Sequence, residues 1–282
     1  MGTARLRGKT AHIYEDNGVK MYLAYSSNYH QLLVDAKARI IISYGRKHGT
    51  ADEAYLPPGF DDFLIDSGGF QIAMRTHERQ KLPGDNTLKA YTMWLQFILD
   101  KYGDKVKGYM GLDTKDWGES LRNYDYMRSE GLVPIPVWKA FWPEEMLDAL
   151  CEEYDYVAVG GVAFGASKMV LRHIFERVTT QYPGIKLHML GVGIRGGVAF
   201  KTFRPYSVDV STWGVPARYG HDIIFDKKQV LKEVKLPDDL RQKLRDSKEF
   251  EDQMIAKAIR LMQSLETELD KMHEPHQLQI QF

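Results

Sequence analysis

One cysteine, Cys151, in 282 residues leaves no partner for an intrachain disulfide and points to a reducing, cytoplasmic setting. Surplus charge is missing as well. The 38 basic residues balance the 38 acidic ones, which argues against a protein that coats nucleic acid by bulk electrostatics. A local basic rim stays open, with Lys37, Arg39, Arg46, Lys47 and His48 near one end and Arg195, Lys201 and Arg204 near another. No run of about 18 apolar residues occurs, so neither a membrane span nor a membrane partner is expected. Met1 to Thr10 carries basic groups but no apolar core and does not read as a signal peptide. Low-complexity tracts are absent. No Gly-x-Gly-x-x-Gly follows the first strand, which removes the dinucleotide fingerprint. His173, His188 and His221 lack ligand spacing, so they read as packed or solvated rather than metal-binding.

What is present is a regular alternation. Short β-rich runs fall at 21–25, 39–44, 62–65, 106–112, 133–138, 156–159, 186–190 and 207–210. Most are apolar on both faces, as strands of a covered parallel sheet must be. Helical spacing joins several of them. In 87–101 the apolar positions are Leu88, Tyr91, Trp94, Leu95, Ile98 and Leu99. Pro143 opens a helix running to Glu153, and Val170, Ile174 and Val178 form one stripe before Pro183-Gly184. Eight strands alternating with helices predict an α/β fold of the (β/α)8 TIM-barrel type, with a doubly wound open sheet as the alternative. The barrel is expected to span 1–225. A charged helical extension, 226–282, is expected to pack on it. Within the extension Met254, Ala258, Leu261, Leu265 and Leu269 recur near helical period. That stripe suits either packing on the barrel or a homodimer seam too short to demand a coiled coil.

The chemistry gathers at strand ends. Asp66 closes an apolar strand and is followed by Ser67, Gly68, Gly69, Phe70 and Gln71. Two glycines let backbone approach a ligand, and an aromatic face offers a stacking platform. The plain reading is a turn. Asp209 interrupts a β-branched run, where an uncompensated carboxylate is costly. It is either catalytic or paired with Arg195 or Arg204. Asp113 follows another strand and suits either base-edge recognition or a helix N-cap, with Asp116 competing for both roles. Gly160-Gly161-Val162 and Leu190-Gly191 end two more strands. They read as places of close backbone approach or as tight turns.

These segments, in this order, resemble the tRNA-guanine transglycosylase family, most specifically in Asp66-Ser67-Gly68-Gly69-Phe70-Gln71. The match covers roughly 20–215. The resemblance implies a TIM barrel that exchanges guanine for a 7-deazaguanine by double displacement, without a cofactor. It implies Asp209 as nucleophile at C1′ and Asp66 as acid/base. It implies Asp113, Gly160, Gly161 and Val162 as base contacts, with Ser67, Gly68, Gly69, Gln71 and Gly191 lining the pocket and Phe70 and Leu190 sandwiching the base. The chemistry agrees, because oxocarbenium character at C1′ calls for a carboxylate and base exchange calls for a proton shuttle.

The departures are specific. The tRNA enzymes bind a structural zinc through three Cys and one His, which a single cysteine cannot provide. Trp138-Lys139 stands where the family has Gln-Gly, and Ser211-Thr212-Trp213 where it has Pro-Thr-Arg. With no RNA-binding module seen, the chain resembles the zinc-less branch, often carried by phages or modification islands, that inserts 7-deazaguanines into DNA. DNA is therefore the favoured partner and tRNA the second, in a host cytoplasm if phage-encoded. Rival readings are a non-catalytic partner subunit and a barrel enzyme for phosphorylated metabolites, with a phosphate cradle at Gly191-Val192-Gly193 and Arg195-Gly196-Gly197.

Overall fold

All eight predicted runs become parallel strands within a few residues of their expected bounds. The computed structural model describes residues 19–44, 55–69, 84–161, 168–191, 205–226 and 231–273. In order, the strands are β1 Lys20–Ala24, β2 Arg39–Ser43, β3 Phe63–Asp66, β4 Val106–Tyr109, β5 Val137–Lys139, β6 Tyr156–Gly160, β7 Lys186–Met189 and β8 Ser207–Val210. They hydrogen-bond in the order β4-β3-β2-β1-β8-β7-β6-β5. The two ends of that order also meet. Met110 and Ile135 form a parallel bridge. Gly111 N–H donates to Ile135 O and Ile135 N–H to Tyr109 O, both at 2.8 Å. The sheet therefore closes on itself as a TIM barrel, and the open doubly wound alternative falls away.

Helices α1 His30–Asp35, α2 Gly84–Tyr102, α3 Trp117–Ser129, α4 Glu144–Glu153 and α5 Lys168–Gln181 surround it. Their apolar stripes bury Leu33, Tyr91, Leu95, Ile98, Met127, Leu147, Leu150, Ile174 and Val178 against the outward strand residues. Pro143 sits one position before α4, as its N-cap, rather than inside the first turn. Asp116 caps α3, its carboxylate accepting from Glu119 N–H at 2.6 Å, so the competition between two acids resolves as a division of labour. Inside the barrel, Tyr22, Ile41, Leu64, Met110, Ile135, Val137 and Ala158 pack together. Strand alternation places these side chains inward and their neighbours outward.

Beyond β8 come a short helix α6, Val215–Tyr219, and an antiparallel hairpin, β9 His221–Phe225 and β10 Leu231–Lys235. The stretch read as wholly helical from 226 thus contains a strand. Its charged positions Lys232 and Glu233 are exposed, while Leu231 is buried, so charge density there marks a hairpin face rather than a helix. Helices α7 Asp238–Asp246 and α8 Lys248–His273 follow. Ile255, Ala258, Ile259, Met262 and Leu265 of α8 are buried within the protein. Tyr29 donates to Glu251 at 2.5 Å, Gln263 donates to Ala36 O at 2.6 Å, and Arg39 pairs with Glu266. Of the stripe named from the sequence, Met254, Ala258 and Leu265 are buried and Leu261 is partly so, so this face of α8 packs within its own protein; the side chain of Leu269 lies outside the described set. Arg39 sits where β2 begins, bound to Asp62 at 3.2 Å and to Glu266, at the end of the barrel opposite Asp66. Among the described residues no helix is long and apolar enough to cross a membrane.

Candidate active site at the barrel mouth

Register brings the chemistry to one rim. Ser43 pairs with Asp66, Lys139 with Gly160, and Tyr22 with Asp209. Parallel strands put their C-terminal ends on one side, so Asp66, Lys139, Gly160 and Asp209 open on the same mouth. Asp113 joins them from the loop after β4. Of the expected residues, Phe70, Gln71 and Val162, with the Arg195 and Arg204 alternatives, lie outside the described set.

Asp66 is enclosed except toward the mouth. Its carboxylate accepts hydrogen bonds from Gly68 N–H and the Ser43 hydroxyl, which favour the charged form. Burial outweighs them, and the nearby charges of Asp113 and Asp209 add to it, raising the pKa to about 6. A carboxyl group that exchanges its proton near neutrality suits acid/base work.

Asp113 is engaged on both oxygens. Lys139 Nζ lies 3.0 Å from Oδ2, and the Ser67 hydroxyl reaches Oδ1 at 3.4 Å. Ser67 Oγ also accepts from Gly69 N–H at 3.3 Å. A Cβ on Gly69 would stand 2.5 Å from Asp113 O and 2.7 Å from Oδ1, so only glycine permits this approach. The Asp-Ser-Gly-Gly segment and Asp113 are therefore one packed unit. Of the pair Trp138-Lys139, only Lys139 faces the mouth, where it also donates to Thr114 O and lies 5.2 Å from the Trp142 ring. Trp138 points into the outer core, its indole N–H donating to Pro143 O at 3.1 Å.

Asp209 is held through one oxygen. Gly191 N–H donates to Oδ1 at 2.7 Å, and His188 Nε2 lies 3.3 Å from the same atom. Among the described residues its partners are a backbone amide and an imidazole. Oδ2 has no hydrogen-bond partner among the described residues. His188 is a packed histidine, as its spacing suggested, with no exposed surface, yet it touches the acid expected to attack. Leu190 leans over Gly160, with its Cδ1 3.7 Å from where a Gly160 Cβ would sit. Gly161, at φ 81°, turns the chain out of β6 beside the ring of the exposed Phe141.

Ser43 escaped the sequence reading, and His188 and Lys139 were noted there without a place in the site. One signal was present for each: a polar residue at an inward position beside buried apolar residues of its strand. The described part of the mouth offers one carboxyl group poised to exchange a proton, one carboxylate pinned through a single oxygen, and a paired Lys–Asp edge.

No protein-family model and no curated protein matches the chain. Among solved structures it is similar to tryptophan synthase from M. tuberculosis. A ligand-free mutant form aligns at 12% identity and a TM-score of 0.39, covering 87% of this chain and 94% of the other. The aminoacrylate- and BRD0059-bound form gives 12% and 0.37, covering 87% and 93%. The open form with BRD0059 gives 13% and 0.36 over the same shares. Likenesses this loose leave the fold to rest on the strand order and closure described above.

Proposed function

We propose that the protein is a guanine transglycosylase that replaces guanine with a 7-deazaguanine base in a nucleic acid, DNA before tRNA. The observation that carries this reading is the contrast between two acids in one mouth. Asp209 is a carboxylate bound through Oδ1, with no partner on Oδ2 among the described residues. Asp66 is a carboxyl group with its pKa raised to about 6. Opposed environments of this kind separate a nucleophile from a general acid.

The target nucleotide must leave its stack to reach such a mouth. Asp209 Oδ2 attacks C1′, the C1′–N9 bond breaks, and the departing base keeps the electron pair and takes the proton of Asp66. The incoming base then returns a proton to Asp66 as its N9 attacks C1′ and Asp209 is released. The cycle is redox-neutral and needs no cofactor. Asp113 is placed to accept from ring N–H and amino groups, and Lys139 to donate to a ring carbonyl oxygen. The missing zinc cysteines and the Trp138-Lys139 segment favour DNA over tRNA.

The test incubates the protein with labelled guanine or 7-deazaguanine and either DNA or tRNA. Label is expected in DNA, with none after Asp209→Asn although that variant keeps the wild-type circular dichroism. Label only in tRNA overturns the choice of polymer. Label in neither overturns transglycosylation by this chain alone and favours a partner-dependent subunit or a metabolite enzyme.

A further inference from the structure

The barrel interior beneath Asp209 is not wholly apolar. Tyr156 OH lies 2.5 Å from Ser207 Oγ, and Ser207 Oγ lies 2.6 Å from His188 Nδ1. His188 Nε2 is 3.3 Å from Asp209 Oδ1. The strand pairing His188↔Ser207 sets the middle link, and the two-residue step from Ser207 to Asp209 points both side chains inward. His188 and Ser207 have no exposed surface, so water does not substitute for these partners. The Tyr22 ring packs edge-on against the imidazole at 6.5 Å between centroids. The Tyr22 hydroxyl is engaged with Asp62 instead.

The direction of the chain follows from its last member. A carboxylate only accepts, so Nε2 facing Asp209 must carry hydrogen; a lone pair there would oppose a negative charge. Nδ1 is then served from Ser207, and the Ser207 oxygen from Tyr156. In a histidine, the bond made by one ring nitrogen fixes what the other can do.

We infer that Tyr156, Ser207 and His188 form a one-way hydrogen-bond chain that locks the Nε2–H form of His188 and pins Asp209 through Oδ1, leaving Oδ2 to attack. The inference rests on the proposed base exchange for its catalytic meaning. His188 is a positioning residue, because it acts through Asp209 rather than on the substrate. Gly191 N–H, at 2.7 Å from the same oxygen, is the second pin. With two donors on one oxygen, the carboxylate cannot rotate to exchange its oxygens without losing both bonds.

Two measurements on the full-length protein test it. The first uses nitrogen-15 histidine labelling and long-range proton–nitrogen correlation to read which ring nitrogen of His188 carries hydrogen, assigned through a His188→Gln variant. Nε2–H is expected. A wild-type signal showing Nε2 without hydrogen overturns the chain. The second is single-turnover formation of the covalent enzyme–nucleic acid adduct. Ser207→Ala is expected to slow adduct formation roughly 10- to 100-fold with KM for the free base unchanged. Tyr156→Phe, which keeps Ser207 as donor, is expected to cost only about threefold. His188→Gln supplies an amide donor and acceptor at similar positions and is expected to retain more rate than His188→Leu. Equal rates for wild type and His188→Leu overturn the positioning role, as does a KM effect without a rate effect. Thermal melts separate slowed chemistry from misfolding. A wild-type protein with the Nε2–H signal but no base exchange overturns the proposed function and the nucleophile role together, while the reverse pattern overturns the chain alone.

Discussion

Lys139 Nζ stands 3.0 Å from Asp113 Oδ2, so the acid proposed to read a base edge already has a cation beside it. An ammonium and a carboxylate side by side offer one donor and one acceptor surface. The edge of a 6-oxopurine can use both groups, its ring N–H donating to Asp113 and its carbonyl oxygen accepting from Lys139. A bound base that leaves either buried group unpaired binds less well.

Lys139→Met should leave Asp113 with a half-made set of partners in a mostly enclosed place. Stability is expected to fall by about 1–3 kcal/mol, and KM for free guanine to rise with little change in adduct chemistry. Denaturant melts and base-exchange kinetics check the two parts. Adding Asp113→Asn to Lys139→Met should recover part of the stability, since the unpaired charge is then gone, but not the affinity.

The raised pKa of Asp66 gives a signed pH dependence. Its carboxyl is about 6 in the folded protein and about 3.9 in an unfolded chain. Between roughly pH 4 and 6 the folded state holds the extra proton, so this group's stability contribution is present at low pH and is lost as pH rises through 6. Asp66→Asn removes the effect. The variant should therefore gain stability relative to wild type between pH 5 and pH 8, read as a change in the difference of melting temperatures. In the wild type, single-turnover adduct formation should decline as pH rises through about 6, because the departing base needs the proton. Asp66→Asn should slow exchange about 10²- to 10⁴-fold while retaining part of the base binding, measured by calorimetry.

Gly69→Ala puts a methyl group against Asp113 O and Oδ1, at 2.5 and 2.7 Å before any relaxation. Backbone on one side and a salt-bridged carboxylate on the other leave little room to yield. The expected cost is about 1–3 kcal/mol, with base affinity lost along with the Ser67–Asp113 contact. Gly131, whose Cβ would meet nothing within 4 Å, is not a neutral control because its φ is 82°. Gly214→Ala, likewise open and without positive φ, is the better control and should melt close to wild type.

Ile259 has 1% of its surface exposed and faces the barrel from α8. Ile259→Ala should cost about 2–5 kcal/mol in a thermal or denaturant melt. Sedimentation should show no change in mass, because the stripe serves the fold rather than a second copy.

Much of this was legible in the sequence because covered parallel strands announce themselves. The run Phe63-Leu64-Ile65 ends in Asp66 and nothing polar precedes it within the strand. What escaped did so for physical reasons. Helix α3 carries acids and amides among its apolar residues and buries polar Ser120 and Asn123, so its stripe is broken. The acid pair Asp116 and Glu119, spaced as a capping box, was the signal to follow. The hairpin after β8 hid behind charge. Lys139 and His188 were not placed in the site because their meaning lies in what stands across the barrel, Asp113 and Asp209, and no local pattern encodes a partner 26 or 21 residues away. The three strand-end acids were legible as a set; the donors that tune them were not.

The closure between β4 and β5 has a mechanical consequence. Every other joint of the hoop pairs two or more residues in register, while this one is a single bridge at Met110 and Ile135 carried by two backbone bonds. Just above it Asp113 and Lys139 reach across the same gap and clasp. A base bound between those two side chains would load the hoop at its thinnest weld, so gripping the ligand and holding the ring shut become a single act.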